Sequence, residues 1–387
     1  MMRKILAVTA LLIIGLSSFV YMQGPIVSFD PALSIPVGSG PVSVAITDIN
    51  ADGSPDIIVA NERSNSATVL LGNDKGEFTQ SKGSPWPAGK SPNDIAVGDF
   101  NGDNKLDLAF PNHETKFVTV LLGDGLGGFN FASGSPFTVR SKPHPHGIAA
   151  GELNGDGYLD LAVESSRQDQ VEVLFGDGKG DFQTPGPMFA VGRMPYQKVR
   201  VGDLNKDGKA DIITTDFRGR SVTALLGDGK GRFAQAKGSP FAVPNFPFCA
   251  AIGDVNGDGD PDLAISHYSG NLENTRDDSL TVLLGDGRSK FTKAVGSPFR
   301  AGHAPVSVAL GDVDGNDVLD IGVANLGGDN VTILLGGKDG IAEAEGSPFA
   351  VGRHPEGIAL GDLNGDGRAD IVTANNQGND ITILLSK

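Results

Sequence analysis

The chain has 387 residues, with 55 glycines, 23 prolines and only 6% aromatic side chains, a mix that favours many short strands joined by tight turns over a helical protein. The length allows one large domain or two ordinary ones. The formal net charge of −16 argues against nucleic acid and anionic lipid as partners, because both bind basic surfaces. A single cysteine excludes an internal disulfide bond.

The first 24 residues have the pattern of an export segment. Arg3 and Lys4 precede an apolar run over residues 5–22, as in a secretory signal. The run is about 18 residues long, the lower limit for crossing a bilayer, so a cleaved signal peptide and an uncleaved anchor both stay open. We expect residues 25–387 to be extracytoplasmic: secreted, periplasmic or anchored at the cell surface. Membrane contact is expected only through residues 5–22, if they are retained.

One acidic motif recurs seven times, at intervals of 50 to 58 residues. In each unit a polar loop and a phrase such as TVLLGDGLGGF follow it, and most units then contain GSPF or GSPW. Each unit predicts four strands: one before the motif, an apolar one after it, one in the TVLLG phrase and one ending near GSPF. Four-stranded antiparallel units at this period indicate an all-β, seven-bladed β-propeller over residues 25–387. The motifs occupy 48–56, 99–107, 152–160, 203–211, 254–262, 312–320 and 362–370.

The two ends of the repeat region predict how the ring closes. The last unit stops at ITILLSK, after its third strand, and lacks a fourth. The segment PIVSFDPALSIPVG at 25–38 precedes the first unit and resembles the missing strand. We therefore expect the N-terminal strand to complete the seventh blade, which leaves no open sheet edge.

The acidic motifs are candidate calcium loops. Calcium takes six to eight oxygen ligands, and alternate residues of a tight loop can direct oxygens inward. The EF-hand is excluded because position 12, which needs a glutamate, holds residues such as Val59 and Thr373. The expected side-chain ligands at positions 1, 3, 5 and 9 are Asp48, Asn50, Asp52, Asp56; Asp99, Asn101, Asp103, Asp107; Glu152, Asn154, Asp156, Asp160; Asp203, Asn205, Asp207, Asp211; Asp254, Asn256, Asp258, Asp262; Asp312, Asp314, Asn316, Asp320; Asp362, Asn364, Asp366, Asp370. The expected backbone carbonyls at position 7 are those of Ser54, Lys105, Tyr158, Lys209, Asp260, Val318 and Arg368.

Charge supports a cation in these loops. They hold 23 of the 47 acidic residues of the chain, and such crowding is repulsive unless it is neutralised. The alternative is a set of solvated Asx-rich turns without metal. Position 6 needs a positive φ, which glycine allows. Blade 6 has Asp317 there and blade 3 has Glu152 at position 1, so these two loops are expected to bind calcium more weakly.

The repeat resembles the FG-GAP/VCBS family and the β-propeller of integrin α-subunits, over essentially everything after residue 24. The resemblance implies up to seven structural Ca²⁺ ions on one face of the propeller and ligand binding on the other. The Gly-Ala-Pro ending of the family is replaced here by IVAN, LAFPN or IVTAN. The match is therefore closer to the bacterial repeat type, and an integrin-like partner does not follow.

On the face opposite the acidic loops, the sequence is uneven. Each loop before a first strand contains a proline in register: Pro41, Pro92, Pro145, Pro195, Pro247, Pro305 and Pro355. The residues beside these prolines, with those of the loop at 266–279, give the candidate ligand site, which suits a sugar or a peptide. Its members are His144, His146, Met194, Tyr196, Phe246, Phe248, His267, Tyr268, His354 and Glu356.

Two other interpretations of this face remain open. Phe246 and Phe248 could simply plug the channel as packing, with the histidines as ordinary loop residues. A metal site from His144 and His146 is also conceivable, but spacing assigns no third ligand.

Three functions follow from these features. The first is a non-enzymatic, calcium-stabilised binding module for adhesion, or for recognition of a glycan or an extracellular protein. The alternative is a lyase of uronic-acid polymers, with His146 as base, Tyr196 as acid and Arg218 neutralising the carboxylate. The third is a scaffold whose ligand is another protein.

Overall fold

A computed structural model gives the structure of the protein and describes residues 27–73, 75–140, 144–244, 246–268 and 278–387. These residues form seven antiparallel sheets without a helix, and each sheet is one blade of a propeller. The predicted all-β, seven-bladed fold is therefore confirmed. The segment 1–24 lies outside the described residues, as do residues 269–277 of the loop at 266–279. In the described part of the chain, no helix is long and apolar enough to cross a membrane.

The two inner strands of each blade flank its acidic motif. The first strands are Pro41–Thr47, Ala96–Gly98, Ile148–Gly151, Pro195–Gly202, Pro247–Gly253, Pro305–Gly311 and Pro355–Gly361. The second strands are Asp56–Asn61, Asp107–Asn112, Asp160–Ser165, Asp211–Asp216, Asp262–His267, Asp320–Asn325 and Asp370–Asn375. Every residue of the second strands is buried, because neighbouring blades cover both faces of each sheet.

The third strands are Ser66–Leu71, Phe117–Gly123, Gln170–Leu174, Ser221–Gly227, Ser279–Gly285, Asn330–Leu335 and Asp380–Leu384. The outer strands of blades 1 to 6 are Thr79–Gln80, Phe129–Phe131, Met188–Ala190, Phe233–Gln235, Phe291–Lys293 and Ala342–Glu343.

The outer edge of five blades differs from the single predicted fourth strand. A second short strand formed by the GSPF or GSPW phrase also pairs with the third strand, so the edge is made in two pieces. The serine of the phrase bridges the break: Ser135 Oγ, for example, accepts the N–H of Val120 at 2.9 Å. The second pieces are Trp86–Pro87, Phe137–Thr138, Phe241–Ala242, Phe299–Arg300 and Phe349–Ala350.

The ring closes as predicted. The N-terminal strand Leu33–Pro36 pairs antiparallel with Asp380–Leu384, the third strand of blade 7. Phe29 extends this pairing through an isolated bridge to Ser386. The fourth strand of the last blade therefore comes from the beginning of the chain, and the closure joins residues more than 340 positions apart.

The core is divided into seven apolar clusters, each lying between two adjacent blades. The cluster between blades 7 and 1, for instance, packs Ile57 and Val59 against Val372 and Ile383. Because every blade contributes to two clusters, each sheet is stabilised mainly by its neighbours. This arrangement holds all seven acidic loops at one end of the channel and all seven proline loops at the other.

Candidate functional site

The acidic loops connect the first and second strands of every blade, and position 1 organises each loop. In blade 7, Asp362 Oδ1 accepts the N–H of Gly365 at 2.7 Å, and its Oδ2 accepts that of Gly367 at 2.8 Å. The bond from position 6 recurs in blades 1, 2, 4, 5 and 6. In blade 3, the longer Glu152 accepts the N–H groups of Asn154 and Gly155 instead.

Two positions of every loop adopt a left-handed backbone. Position 6 has positive φ in all seven blades, including Asn104 at 61° and Asp317 at 65°. Position 4 does so as well, although it holds Ala51 in blade 1 and Lys206 in blade 4. The sequence predicted a left-handed backbone at position 6 only. The two left-handed residues therefore give all seven loops the same turn.

The position-9 aspartates start the second strands and are fully buried. In blade 4, Asp211 accepts the N–H of Leu204 at 2.9 Å and that of Gly227 at 2.8 Å, so its two oxygens tie the loop to the third strand. Burial, followed by the charges at positions 5 and 1, raises the pKa of this carboxyl to about 6, and the pKa of Asp320 is raised to about 7.

The donor set of these loops fits a calcium ion. In blade 6, one oxygen from each of Asp312, Asp314 and Asp320 lies within 4.8 Å of the others. Two oxygens bound to one Ca²⁺ at 2.3–2.6 Å are at most about 5 Å apart, so this triplet can share one ion. A carboxylate oxygen that accepts one N–H keeps a second lone pair for a cation.

The opposite end of the channel, here called the mouth, is built from three register positions per blade. These are the residue before the register proline, the residue after it and the residue that follows the second strand. The residue before the proline has positive φ in every blade. In six blades its carbonyl accepts the N–H of the residue after the second strand, as Met194 does from Phe217 at 3.0 Å. This contact places the loops before the first strands next to the loops after the second strands.

Aromatic rings and histidines form one continuous strip along the mouth of blades 2 to 5. Starting from His113, the ring centroids are 4.1 Å from His113 to His146 and 4.2 Å from His146 to Tyr196. Tyr196 lies 5.6 Å from Phe248, which lies 5.6 Å from Tyr268. We call these residues, with His144, Phe217 and Phe246, which pack against them, the mouth strip.

The other three blades present a different surface. Blade 6 places Ala304, Val306 and Leu326 at the three register positions. Blades 7 and 1 place His354, Glu356 and Asn376, then Gly40, Val42 and Glu62. Glu356 is partly exposed to the channel, and burial raises its pKa to about 7, with Glu62 adding to the shift.

A polar bridge crosses the channel beneath the mouth. Lys198 of blade 4 forms a buried ion pair with Asp94 of blade 2, and its Nζ also donates to Ser43 Oγ of blade 1 at 3.1 Å. Gln197, with φ of 81°, is an extra residue in the first strand of blade 4, and this bulge puts Lys198 at the height of the other two. We call this contact across the channel the floor of the mouth, and the space above it the cup.

Comparison with known proteins agrees with a propeller built from seven repeats. The profile of the FG-GAP-like repeat matches residues 48–110, 153–214 and 203–265, and that of the FG-GAP repeat matches 354–383, together more than half of the chain. The chain belongs to the FG-GAP repeat family. It is also 28% identical to integrin alpha-IIb of Mus musculus, over 45% of this chain and 20% of the integrin. The aligned part thus spans about a fifth of the integrin's length.

Solved structures resemble this FG-GAP propeller in fold alone. A catalytically inactive virginiamycin B lyase from Staphylococcus aureus, crystallised with quinupristin, has a TM-score of 0.57 at 13% identity, covering 92% of this chain and 99% of the lyase. BBS1N in complex with ARL6DN has a TM-score of 0.58 at 11% identity, covering 94% and 98%.

The FG-GAP propeller brings most, but not all, of the sequence-predicted ligand residues to the mouth. His144, His146, Tyr196, Phe246, Phe248 and Tyr268 belong to the mouth strip, and Met194, His354 and Glu356 lie at register positions of the mouth. The placement of His267 at the mouth is wrong. It ends the second strand of blade 5, is fully buried, and its Nε2 lies 2.8 Å from the Thr281 hydroxyl.

His267 replaces a buried asparagine that other blades use for the same purpose. Asn375, for example, donates to Thr382 Oγ1 at 2.9 Å, and Asn325 donates to Thr332 Oγ1 at 2.9 Å. A polar side chain at the end of the second strand therefore ties it to the third strand. Asp216 of blade 4 has the same role, because it accepts the Thr223 hydroxyl at 2.7 Å.

The residues named for a lyase are only partly assembled. His146 and Tyr196 are in ring contact, but His146 is 2% exposed. Burial and two neighbouring histidines hold its pKa well below the ordinary value. Arg218 is exposed in the loop after the second strand of blade 4, and among the described contacts none joins its side chain to this pair.

Sequence reasoning missed two residues of the mouth and one buried carboxylate. His113 and Phe217 follow the second strands of blades 2 and 4, the register position that gave Tyr268 in blade 5. Counting from the acidic motif would have found both. Glu164, at the fifth position of the second strand of blade 3, is fully buried and neither carboxylate oxygen has a hydrogen-bond partner. Burial raises its pKa to about 8.

Proposed function

We propose that this protein is an extracytoplasmic, calcium-stabilised binding module that recognises a glycan in the cup at its mouth. The observation that carries the proposal is the mouth strip above the Lys198–Asp94 floor. Family membership and the match to an integrin α-subunit support an extracellular location, and the acidic loops support structural calcium.

The chemistry of the cup favours a sugar. Tyr196, Phe217 and Tyr268 are partly exposed, and such ring faces stack on the C–H faces of a pyranose. Glu62 and Glu356 lie at the same mouth and can accept hydrogen bonds from sugar hydroxyls. An apolar wall with a few convergent polar groups is the usual composition of a small-ligand site.

The proposal is tested with the purified chain on a glycan array in saturating calcium, including uronic-acid polymers. The matched variants are Phe217→Ala and Leu326→Ala, which occupy the same register position in blades 4 and 6. Loss of one stacking contact should weaken glycan binding by about tenfold in Phe217→Ala, and leave Leu326→Ala unchanged.

Folded protein that binds no glycan on the array would contradict the proposal and favour a protein ligand. Equal losses in both variants would place the glycan outside the mouth strip. We do not propose the lyase, because His146 is buried and no described contact joins the exposed Arg218 to it. If a uronic-acid polymer is bound, the absence of unsaturated products would agree with a binding module.

A further inference from the structure

Three histidines meet at one end of the mouth strip. His113 follows the second strand of blade 2, and His144 and His146 flank the register proline of blade 3. Both segments lie at the mouth, so the fold brings them together although spacing alone offered only the blade 3 pair. One ring nitrogen from each histidine lies within 4.8 Å of the other two, and His113 Nε2 is 2.9 Å from His144 Nδ1.

We propose that His113, His144 and His146 form a binding site for a zinc-class divalent ion. Zinc binds imidazole nitrogen at about 2.0–2.1 Å with tetrahedral geometry, so two ligand nitrogens are about 3.3 Å apart. The pair His113 Nε2 and His144 Nδ1 is close to this spacing at 2.9 Å, and the nitrogen of His146 lies within 4.8 Å of the other two ligand atoms, so side-chain rotations would have to bring it closer. Three protein ligands leave the fourth position to water or to an oxygen of a bound molecule.

Burial gives a second, independent argument. His146 is 2% exposed, and its Nδ1 is buried without a hydrogen-bond partner. Buried polar atoms without partners are rare in native proteins, and each one calls for a ligand, a water or an ion. A metal ion bound to the three histidines would explain why this ring is buried with a nitrogen that lacks a hydrogen bond.

Glu62 supplies the outer contact that metal-bound histidines usually have. Its Oε1 lies 3.7 Å from His113 Nδ1, on the side of the ring away from His144. That nitrogen is also buried without a hydrogen bond. A carboxylate behind a ligating histidine fixes the tautomer and raises the basicity of the metal-facing nitrogen. A shift of less than about 1 Å would bring Oε1 of Glu62 within hydrogen-bond distance of Nδ1–H, and Nε2 of His113 would then be the nitrogen that binds the ion.

The backbone at His144 departs from the other six blades. Its φ is 113°, whereas the equivalent residues lie between 51° and 66°. Its carbonyl receives the Ser166 hydroxyl at 3.5 Å instead of the backbone N–H used elsewhere. Unusual backbone geometry is concentrated at functional sites, and here it occurs at the residue whose imidazole contacts His113.

Arg167 modifies the site. Its guanidinium donates to His144 Nε2 at 3.0 Å, which puts the ring proton on Nδ1, the atom that faces His113. A metal ion on Nδ1 moves that proton to Nε2, and Nε2 then no longer accepts from an arginine. Arg167 is exposed and can turn away into solvent. Its removal should therefore strengthen metal binding.

This site is chemically distinct from the acidic loops. Imidazole selects zinc, copper, nickel and cobalt, whereas carboxylates and carbonyls suit calcium and magnesium. The inference is independent of the proposed glycan function. If both hold, an oxygen of the bound glycan could complete the coordination, since the histidines adjoin Tyr196.

The test titrates the purified full chain with Co²⁺ in saturating Ca²⁺ and follows the visible d–d absorption of tetrahedral cobalt. We expect one equivalent with intense absorption, displaced by Zn²⁺. The variants are His144→Ala and its matched control His354→Ala, which also precedes a register proline with positive φ. The partly exposed His144 is chosen because loss of the buried His146 could disturb folding.

His144→Ala should lose the tetrahedral spectrum and bind at least about 100-fold more weakly, and Glu62→Gln about tenfold more weakly. Arg167→Ala should bind more tightly, and His354→Ala should match the parent protein. The proposal is overturned by an octahedral spectrum only, or by equal affinity of His144→Ala and His354→Ala. A glycan array result in either direction leaves this outcome unaffected.

Discussion

The two faces of the propeller are made from the same seven units, yet they vary to different degrees. On the acidic face, positions 4 and 6 are left-handed in every blade, and the position-9 carboxylate is buried in every blade. On the mouth face, the backbone contacts repeat, but the side chains range from Ala304 to Tyr196. The acidic face therefore repeats one loop structure in every blade, and the mouth face is where the blades of this propeller differ from one another.

Blade 3 departs from the repeat at both faces. Its acidic loop starts with Glu152, and its second strand carries Glu164, whose carboxylate oxygens have no hydrogen-bond partner. Its mouth loop contains the two clustered histidines. Blade 3 therefore differs from the other blades on both faces.

The largest expected effect belongs to the acidic face as a whole. At free calcium 100-fold above Kd, each occupied loop stabilises the folded state by about 2.7 kcal/mol. With an unfolding entropy of about 2.1 cal/mol/K per residue, release of all seven ions should lower Tm on the order of 20 °C. Calorimetry in calcium and in EDTA measures this shift.

Calcium added back to the chelated protein should restore Tm, and magnesium should not. An unchanged Tm, with metal removal confirmed by elemental analysis, would contradict the calcium prediction. It would favour the alternative that the acidic loops are solvated turns held by their own hydrogen bonds. The regular structure of the acidic face would then come from hydrogen bonds such as those that Asp211 accepts from Leu204 and Gly227.

The second largest effect is expected in the pH dependence of stability, and it comes from Glu164 in the second strand of blade 3. The folded-state pKa of Glu164 is about 8 because of burial, whereas an unfolded glutamate titrates near about 4.3. Between these values only the folded state keeps the proton, so this residue lowers stability as pH rises. Glu164→Gln should therefore match the parent protein near pH 5 and exceed it by a few kcal/mol near pH 8.

Urea unfolding at the two pH values, in saturating calcium, measures the difference. The exposed Glu345→Gln serves as control and should give the same small change at both. If Glu164→Gln alters stability equally at pH 5 and pH 8, the side chain is ionised in the folded protein and has a partner.

Sequence reasoning was accurate where the repeat determines structure. The strands, the loop positions and the pairing of Leu33–Pro36 with Asp380–Leu384 follow from local pattern and from the missing fourth strand. The divided outer edge was missed, because the serine that bridges it acts through a side-chain hydroxyl and not through strand pattern. The prediction for His267 was wrong, because His267 is the last, buried residue of the second strand and only the next residue, Tyr268, lies at the mouth.

Contacts across the channel could not be predicted in the same way. Lys198 reaches Asp94 only because a one-residue bulge at Gln197 changes its height. His113 meets His146 because two neighbouring blades converge at the axis. Register counting assigns a residue to the mouth, but the partners it meets there depend on the curvature of the ring.

The smallest expected effect lies again on the acidic face, at position 4 of the acidic loops. Ala51 occupies it in blade 1 with φ of 58°, and Gly365 occupies it in blade 7 with φ of 76°. A left-handed conformation costs an L-residue roughly 1–2 kcal/mol, part of which glycine gives back through the entropy of the unfolded chain. Ala51→Gly should therefore raise the unfolding free energy by up to about 1 kcal/mol, and Gly365→Ala should lower it by a similar amount.

Gly365 suits this comparison, because no atom outside the two neighbouring residues of the chain lies within 4 Å of the position that its Cβ would occupy. Any cost of Gly365→Ala thus comes from the backbone and not from a clash. Urea unfolding in calcium and in EDTA compares the two variants. Opposite signs in both conditions would mean that the left-handed turn belongs to the fold itself. Changes of the same sign in the unfolding free energy would mean that the cost of a side chain at position 4 differs between blades 1 and 7. The acidic loops would then differ in energy although their backbones are alike.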